Sequence, residues 1–473
     1  MNYSLYTDLY ELTMAQGYFL TGRAEERASF SMNFRKLPFK GGYAVFCGSG
    51  TLMKIIENFN YDQEQIDYLA SIPAPCGEPM FAKKFLDYLA NMKMSVDVYA
   101  PKEGSLVFPY EPIVRIDGPI LQCQILEAAI LNCINYQTLS ATKAMRITAA
   151  ADGRAVAEFG LRRAQGLGSM WGARASYIGG FSSTSNVLAG KEFSIPVSGT
   201  HAHSWVMSFD SELEAFREYA RLFPTNCTLL VDTYSVEEGV KHAIIVAKEM
   251  EERGQKMNAV RIDSGDLTWE SRRVRKMLDD AGLDYVGIVL SNDLDEYKIE
   301  SILHEGAFVN AFGVGTKYAC CFDQPTLGGV YKLNAIFEDG KWVPKMKISE
   351  SPEKTTYPGV LNVMRFFDDK GQLAGDMVYD INEPEMDCTI VDPLNRINKK
   401  LCGLEHTVLL EQIMKDGKGV ASWTIEDARE TARAAFDNLD YSRKRNIYPH
   451  IYPVGLELNL SNKRDSIISS ELS

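Results

Sequence analysis

The chain has 473 residues, of which 45% are hydrophobic and 24% charged. That is the balance of a globular protein too long for one ordinary core, so two or three domains are expected. A formal net charge of -13 argues against a nucleic-acid partner, which would need a basic face, and leaves any anionic ligand to local arginine, lysine, backbone N–H groups or metal. Asp8 and Glu11 stand where a signal peptide would need an apolar run, and no uninterrupted apolar stretch could span a bilayer, so a cytoplasmic protein without a membrane partner is expected. The nine cysteines, at positions 47, 76, 123, 133, 227, 320, 321, 388 and 402, form no CxxC pair. They read as reduced, mostly buried thiols.

In chain order, the pattern first predicts a helix over Asp8 to Tyr18 and a strand over Ala28 to Arg35, where apolar and polar residues alternate. Short runs at Ser95 to Ala100, Ser105 to Phe108 and Ile113 to Ile116 are punctuated by Pro and Gly, which predicts a small antiparallel sheet. Residues 1–118 thus read as an α+β domain, sandwich-like, and a long helix from Gln122 to Ala150 follows. Between 150 and 320 apolar runs recur, each followed by a polar or Gly-rich cluster and a helix-length segment. The runs are Ala155–Ala157, Tyr177–Ile178, Ile195–Val197, Leu229–Val231, Ala259–Ile262, Val286–Leu290 and Phe308–Phe312. Strands alternating with helices imply parallel pairing, and the absence of an opening GxGxxG favours an irregular α/β barrel over an open dinucleotide-binding sheet. The expected catalytic barrel domain covers 119–325. A C-terminal α+β domain, 326–473, contains a helix near Thr424 to Asn438, and part of it is expected to complete the N-terminal domain. The last dozen residues are polar and expected to fray.

Chemistry gathers after the predicted strands. Ser198-Gly199-Thr200-His201-Ala202-His203-Ser204-Trp205 places two of the six histidines in one short segment. Taken alone it is a weak metal signal, a capping cluster or a solvated loop, although a histidine there can also accept a phosphoryl group. Gly313-x-Gly315-Thr316 offers backbone donors suited to a phosphate monoester. Asp232, Asp263, Asp266, Asp293 and Asp295 put more carboxylates at one rim than bare repulsion would tolerate unless Mg²⁺ or substrate hydroxyls intervene, although some must cap helices. Arg35, Arg162, Arg163 and Arg261 supply positive charge. Arg261 is the oddest, since it lies inside an apolar strand, where it either pairs with Asp263 or grips a carboxylate. For each cluster alone, strand ends and helix caps are the simpler account. Together they describe a phosphosugar site without a Ser-His-Asp or Cys-His set and without a lysine placed for a Schiff base.

Five motifs carry a resemblance: Tyr6-Thr7-Asp8-Leu9-Tyr10-Glu11-Leu12-Thr13-Met14, Phe159-Gly160-x-Arg162, Ser198-Gly199-Thr200-x-Ala202-His203-Ser204, Val260-Arg261-Ile262-Asp263-Ser264-Gly265-Asp266-Leu267 and Phe312-Gly313-Val314-Gly315-Thr316. In this order, from about residue 3 to about 335, the chain resembles the nicotinate phosphoribosyltransferases. The resemblance implies transfer of nicotinate onto phosphoribosyl pyrophosphate, giving nicotinate mononucleotide and pyrophosphate, with coupled ATP hydrolysis and Mg²⁺. It implies that ATP phosphorylates His203, that His201 holds a variable motif position, and that Tyr10 and Phe159 sandwich the pyridine ring. Tyr10 would do so across the interface of a homodimer. Arg261 would hold the carboxylate, and Arg162 with Gly313, Gly315 and Thr316 the 5-phosphate. Asp263 and Asp293 would face ribose hydroxyls or Mg²⁺, Thr200 and Ser264 would also bind substrate, and Arg35 would approach pyrophosphate or ATP. No residue is assigned as a metal ligand. Where the amide-using relatives place an aspartate, this chain has Ser185; a carboxylate there would repel nicotinate, whereas a hydroxyl can donate to it. The alternatives are a nicotinamide phosphoribosyltransferase or a non-catalytic sensor of phosphoribosyl compounds.

Overall fold

The computed structural model describes residues 2–383 and 386–471 and divides into two compact units, Met1–Leu139 with Thr326–Ser473, and Ser140–Pro325. The first unit is built on a seven-stranded sheet in the order Lys341–Pro344, Val330–Glu338, Arg27–Asn33, Val114–Pro119, Asp97–Ala100, Glu411–Lys415, Lys418–Gly419. Strands from both ends of the chain therefore share one set of ladders. In Arg27–Asn33 the apolar Ala28, Phe30 and Met32 alternate with Ser29 and Ser31, yet all five are buried. The serine face is covered too, and Ser31 Oγ lies 2.7 Å from Asn334 Oδ1 on the neighbouring strand. A second, six-stranded mixed sheet is formed by Leu361–Phe367, Leu373–Asp380, Thr389–Val391, Asn398–Lys400, Glu405–Val408 and Val454–Glu457.

Several expectations in this unit change. The run at Leu106–Val107 pairs with Ala44–Val45 in a separate two-stranded sheet. The long helix is broken at Leu126 into Ile120–Ile125 and Glu127–Ala150. The polar C-terminus forms a helix, Leu458–Glu471, anchored by buried Leu460, Ser461 and Arg464; Leu472 and Ser473 lie outside the described residues. Cys388 and Cys402 form a disulfide with a Cα–Cα separation of 5.2 Å, so these two are not the reduced thiols expected from spacing alone. Cys47, Cys123, Cys133, Cys227 and Cys321 are buried. Among the described residues no helix is long and apolar enough to cross a membrane.

The second unit holds six parallel strands: β1 (Ala155–Glu158), β2 (Ser183–Thr184), β3 (Thr228–Leu230), β4 (Ala259–Ile262), β5 (Gly287–Ser291) and β6 (Ala311–Val314), in the order β2-β1-β6-β5-β4-β3. Alternation along each strand decides which side chains reach the core. Val156, Leu229, Val260, Ile262, Ile288, Leu290, Phe312 and Val314 enter one apolar cluster with the flanking helices. At ~25 cal/mol per Å² of apolar surface, burying each such side chain fully is worth roughly 1.5–3 kcal/mol before chain entropy is counted. The same alternation puts Arg261, Ser291 and Gly313 on the other face, in neighbouring strands.

Two of the seven expected runs are not strands. Tyr177–Ile178 ends a helix, Gly168–Ile178. Ile195–Val197 makes only an isolated bridge from Val197 to Thr184, in keeping with Pro196, which has no N–H to give a ladder. The last strand begins at Ala311, three residues later than the run starting at Phe308 predicts.

Candidate active site

At the carboxyl ends of β1, β2, β4, β5 and β6 the second unit encloses a cavity of about 300 Å³. Its lining contains ten of the residues to which the resemblance assigns a role: Phe159, Arg162, Ser185, Thr200, Arg261, Asp263, Asp293, Gly313, Gly315 and Thr316. Arg163, Gly199, Ser291 and Asn292 complete it. Parallel α/β sheets gather polar groups at this end, because every strand there hands over to a loop.

Arg261 organises one wall. Its Nε donates to Ser291 Oγ at 2.8 Å, Nη1 to Thr200 Oγ1 at 3.0 Å and Nη2 to Asp263 Oδ1 at 2.9 Å. The guanidinium carbon also lies 5.5 Å from the centre of the Phe159 ring, so a flat cation is held beside a flat apolar face. Ser291 Oγ donates a short hydrogen bond to Asp263 Oδ1. Both sequence accounts of Arg261 therefore meet: it pairs with Asp263 and still faces the cavity.

Phe159 is fixed from behind. Glu158, at the end of β1, is buried; its carboxylate accepts from Gly160 N and, at 2.6 Å, from Thr184 Oγ1. Burial is the largest influence on this carboxyl and raises its pKa, against those two hydrogen bonds. The Glu158 carbonyl accepts from Ser185 N at 2.9 Å, which sets Ser185 at the cavity edge. Gly313 has a stricter reason to be glycine, since a Cβ there would stand 2.5 Å from Phe159 Cε2. Gly313→Ala should displace the ring and raise the KM of any substrate packed on it by ~10-fold or more, as misplacement of a positioning group does. Steady-state kinetics with an intact thermal transition would check this.

The carboxylates divide by role. Asp266 and Asp295 are helix caps, accepting from Trp269 N at 3.0 Å and Lys298 N at 2.9 Å. Asp232 Oδ2 accepts from Asp263 N at 3.0 Å and Ser264 Oγ at 2.5 Å. Ser264 is thus spent on Asp232 and does not line the cavity. Asn292 and Asp293 both have left-handed backbone, φ 112° and 42°. Two successive non-glycine residues in that region store strain at the cavity edge, a pattern found where loop geometry serves a site.

His203 also lies outside the lining. It opens the short helix His203–Met207, and its Nδ1 is hydrogen-bonded to Thr233 Oγ1 at 3.1 Å. His201 is buried and accepts from the backbone N–H of Leu230. Tyr10 and Arg35 belong to the first unit. Tyr10 is half exposed on the helix Leu9–Leu20, beside Glu11 and Glu127. Glu11 there is pushed up to about 7, chiefly by burial. Sequence reasoning did not single out Ser291 or Glu158; their value comes from contacts across strands.

Among the described residues no group of three or more His, Cys, Asp or Glu side chains is arranged to hold a metal ion. Asp232 keeps one buried carboxylate oxygen, Oδ1, with no hydrogen-bond partner among the described residues. One or two carboxylates together with substrate oxygens suit Mg²⁺, which retains much of its water and rarely uses an all-protein cage.

Three family models match along the chain: the nicotinate phosphoribosyltransferase N-terminal domain over residues 5–135, the nicotinate phosphoribosyltransferase family over 155–383, and the nicotinate phosphoribosyltransferase C-terminal domain over 361–464. A nicotinate phosphoribosyltransferase of Bacillus subtilis is 40% identical over 477 residues, covering 98% of this chain and 95% of that protein. The crystal structure of human nicotinic acid phosphoribosyltransferase superimposes with a TM-score of 0.85 at 30% identity, over 98% of this chain and 99% of that one. A nicotinate-nucleotide pyrophosphorylase from Pyrococcus furiosus shares the fold, with a TM-score of 0.68 at 23% identity over 94% of this chain and 96% of that one. On matches that run along almost its entire length, this chain belongs to the nicotinate phosphoribosyltransferase family.

Proposed function

We propose that this chain transfers the phosphoribosyl group of phosphoribosyl pyrophosphate to nicotinate, releasing pyrophosphate, and couples that transfer to ATP hydrolysis through a phosphohistidine at His203. The observation that carries the reading is the Arg261 fork beside Phe159: one wall offers a planar cation for a carboxylate and an aromatic face for the ring bearing it. Arg162, Arg163 and the Gly313–Thr316 backbone supply the contrasting, phosphate-binding part of the same cavity.

The pyridine nitrogen is an unprotonated nucleophile near neutral pH, so no general base is needed. It attacks the anomeric carbon while pyrophosphate leaves, and the ribose passes through oxocarbenium character. Asp263 and Asp293 face the ribose hydroxyls, and Arg162 with the Gly313–Thr316 loop holds the 5-phosphate in place. Asp232 or Asp293, together with substrate oxygens, would hold Mg²⁺, which would supply positive charge to the departing pyrophosphate. His203 accepts the γ-phosphoryl of ATP, and Arg35 belongs to the pyrophosphate or ATP end. In a homodimer, Tyr10 of one subunit would pack on the pyridine ring bound by the other. The protein is assigned to the cytoplasm, where these substrates are available.

An irregular barrel is the arrangement we favour for the six strands. Residues 195–201 bridge the two open edges: Thr184 N donates to Pro196 O and Ser198 N to Thr184 O, both at 3.0 Å, while Leu230 N meets His201.

Ser185 is the proposed discriminator between acid and amide. Ser185→Asp should lower kcat/KM for nicotinate by ~10- to 100-fold, since it sets a carboxylate against a carboxylate in a partly desolvated cavity. Comparing nicotinate and nicotinamide kinetics in this variant checks the point, and unchanged nicotinate kinetics would remove Ser185 from the specificity argument.

A further inference from the structure

Three side chains of one short segment cross to the ends of β3 and β4. Thr200 Oγ1 accepts from Arg261 Nη1, His203 Nδ1 meets Thr233 Oγ1, and between them His201 Nε2 accepts from Leu230 N at 3.1 Å. β3 is an edge strand whose single sheet neighbour is β4, and Leu230 is the residue paired with Arg261. On its open side the Leu230 N–H would have no strand carbonyl to meet; an imidazole nitrogen meets it instead.

We infer that His201 is a positioning residue, whose Nε2 substitutes for a strand carbonyl at the open edge of β3 and so anchors the segment that carries Thr200 and His203. The inference rests on the reading of His203 as the phosphoryl acceptor. With Nε2 accepting, the ring proton resides on Nδ1, which lies 3.4 Å from Ala202 O. The ring is 8% exposed and is fixed edge-on against Tyr219, centroids 4.7 Å apart. Burial, the largest influence, pushes its pKa down to about 4, so it stays neutral, with Nε2 available to the amide, throughout the neutral range. The two histidines of the segment are therefore chemically opposite: in His201 the lone-pair nitrogen is occupied by the backbone, which bars it from phosphorus.

The test uses the full-length protein with γ-³²P-labelled ATP, mapping of the phosphorylated residue, and hydrogen exchange at the Leu230 amide. His201→Phe keeps an aromatic ring but has no acceptor. His201→Gln places an acceptor where Nε2 lies, and His201→Asn places one where Nδ1 lies. We expect His201→Phe and His201→Asn to form phosphoenzyme ~10- to 100-fold more slowly and to lose protection at Leu230. The KM for nicotinate without ATP should stay within about twofold, because Arg261 keeps Ser291 and Asp263. His201→Gln should restore both phosphorylation and protection. Phosphate on His201, wild-type phosphorylation in His201→Phe, or equal rescue by Asn and Gln would overturn the inference. If the wild type takes up no phosphate, the ATP-coupled reading fails by itself. Leu230 exchange then decides alone, and unchanged protection in His201→Phe would refute the anchor.

Discussion

Replacement of His203 by alanine is expected to abolish ATP hydrolysis and the stimulation of turnover by ATP while leaving the fold intact. The side chain is half-buried at the start of a short helix and, among the described residues, makes one hydrogen bond, to Thr233. Its loss should therefore cost about 1 kcal/mol of stability, too little to unfold a domain with so extensive a core. The phosphoryl group, by contrast, has no other acceptor in the proposed mechanism, so coupling should vanish and not merely slow. Basal phosphoribosyl transfer without ATP should persist, because nothing that holds nicotinate or the 5-phosphate depends on His203. Parallel assays of ATP hydrolysis and mononucleotide formation check this, and normal coupling in the variant would remove His203 from the mechanism.

The second large effect is expected at Arg261. Arg261→Lys preserves the charge but cannot donate from three nitrogens to Ser291, Thr200 and Asp263 at once. A hydrogen bond to a charged group contributes ~1.5–3 kcal/mol, so losing the fork should lower kcat/KM for nicotinate by at least ~10- to 100-fold. Arg261→Ala should be worse, since Asp263 then loses the cation that neutralises it. Stopped assays over a nicotinate range measure the effect. A variant in which only the phosphoribosyl pyrophosphate dependence changed would assign Arg261 to the wrong substrate.

The sequence made Arg261 conspicuous because an arginine inside Ala259–Ile262 breaks an apolar run, and strand alternation then placed it opposite the core. Four further strands were legible for the same reason, as apolar runs whose alternate residues enter one cluster. The helix Gly168–Ile178 was not, because Trp171 to Ile178 are all buried; a helix covered on every side has no polar stripe to show its period. The seven-stranded sheet joins Arg27–Asn33 to Val330–Glu338, a pairing across some three hundred residues that no local pattern encodes. Likewise Ser291 and Glu158 acquire meaning only once Arg261 and Thr184 are beside them. The positive φ angles of Asn292 and Asp293 leave only a weak compositional trace, since Asn and Asp adopt that region more readily than other side chains but far less often than glycine. Cys388 and Cys402, fourteen residues apart with no motif between them, met the same limit.

Our proposal is that the cavity around Arg261 and Phe159 joins nicotinate to a phosphoribosyl group under ATP control. Its most direct test is incubation of the protein with labelled phosphoribosyl pyrophosphate and Mg²⁺, with either nicotinate or nicotinamide, with and without ATP. Labelled nicotinate mononucleotide, with release of pyrophosphate, is expected from the acid, faster with ATP, with little product from the amide. Equal or greater product from nicotinamide, or no transfer to either ring, would contradict it.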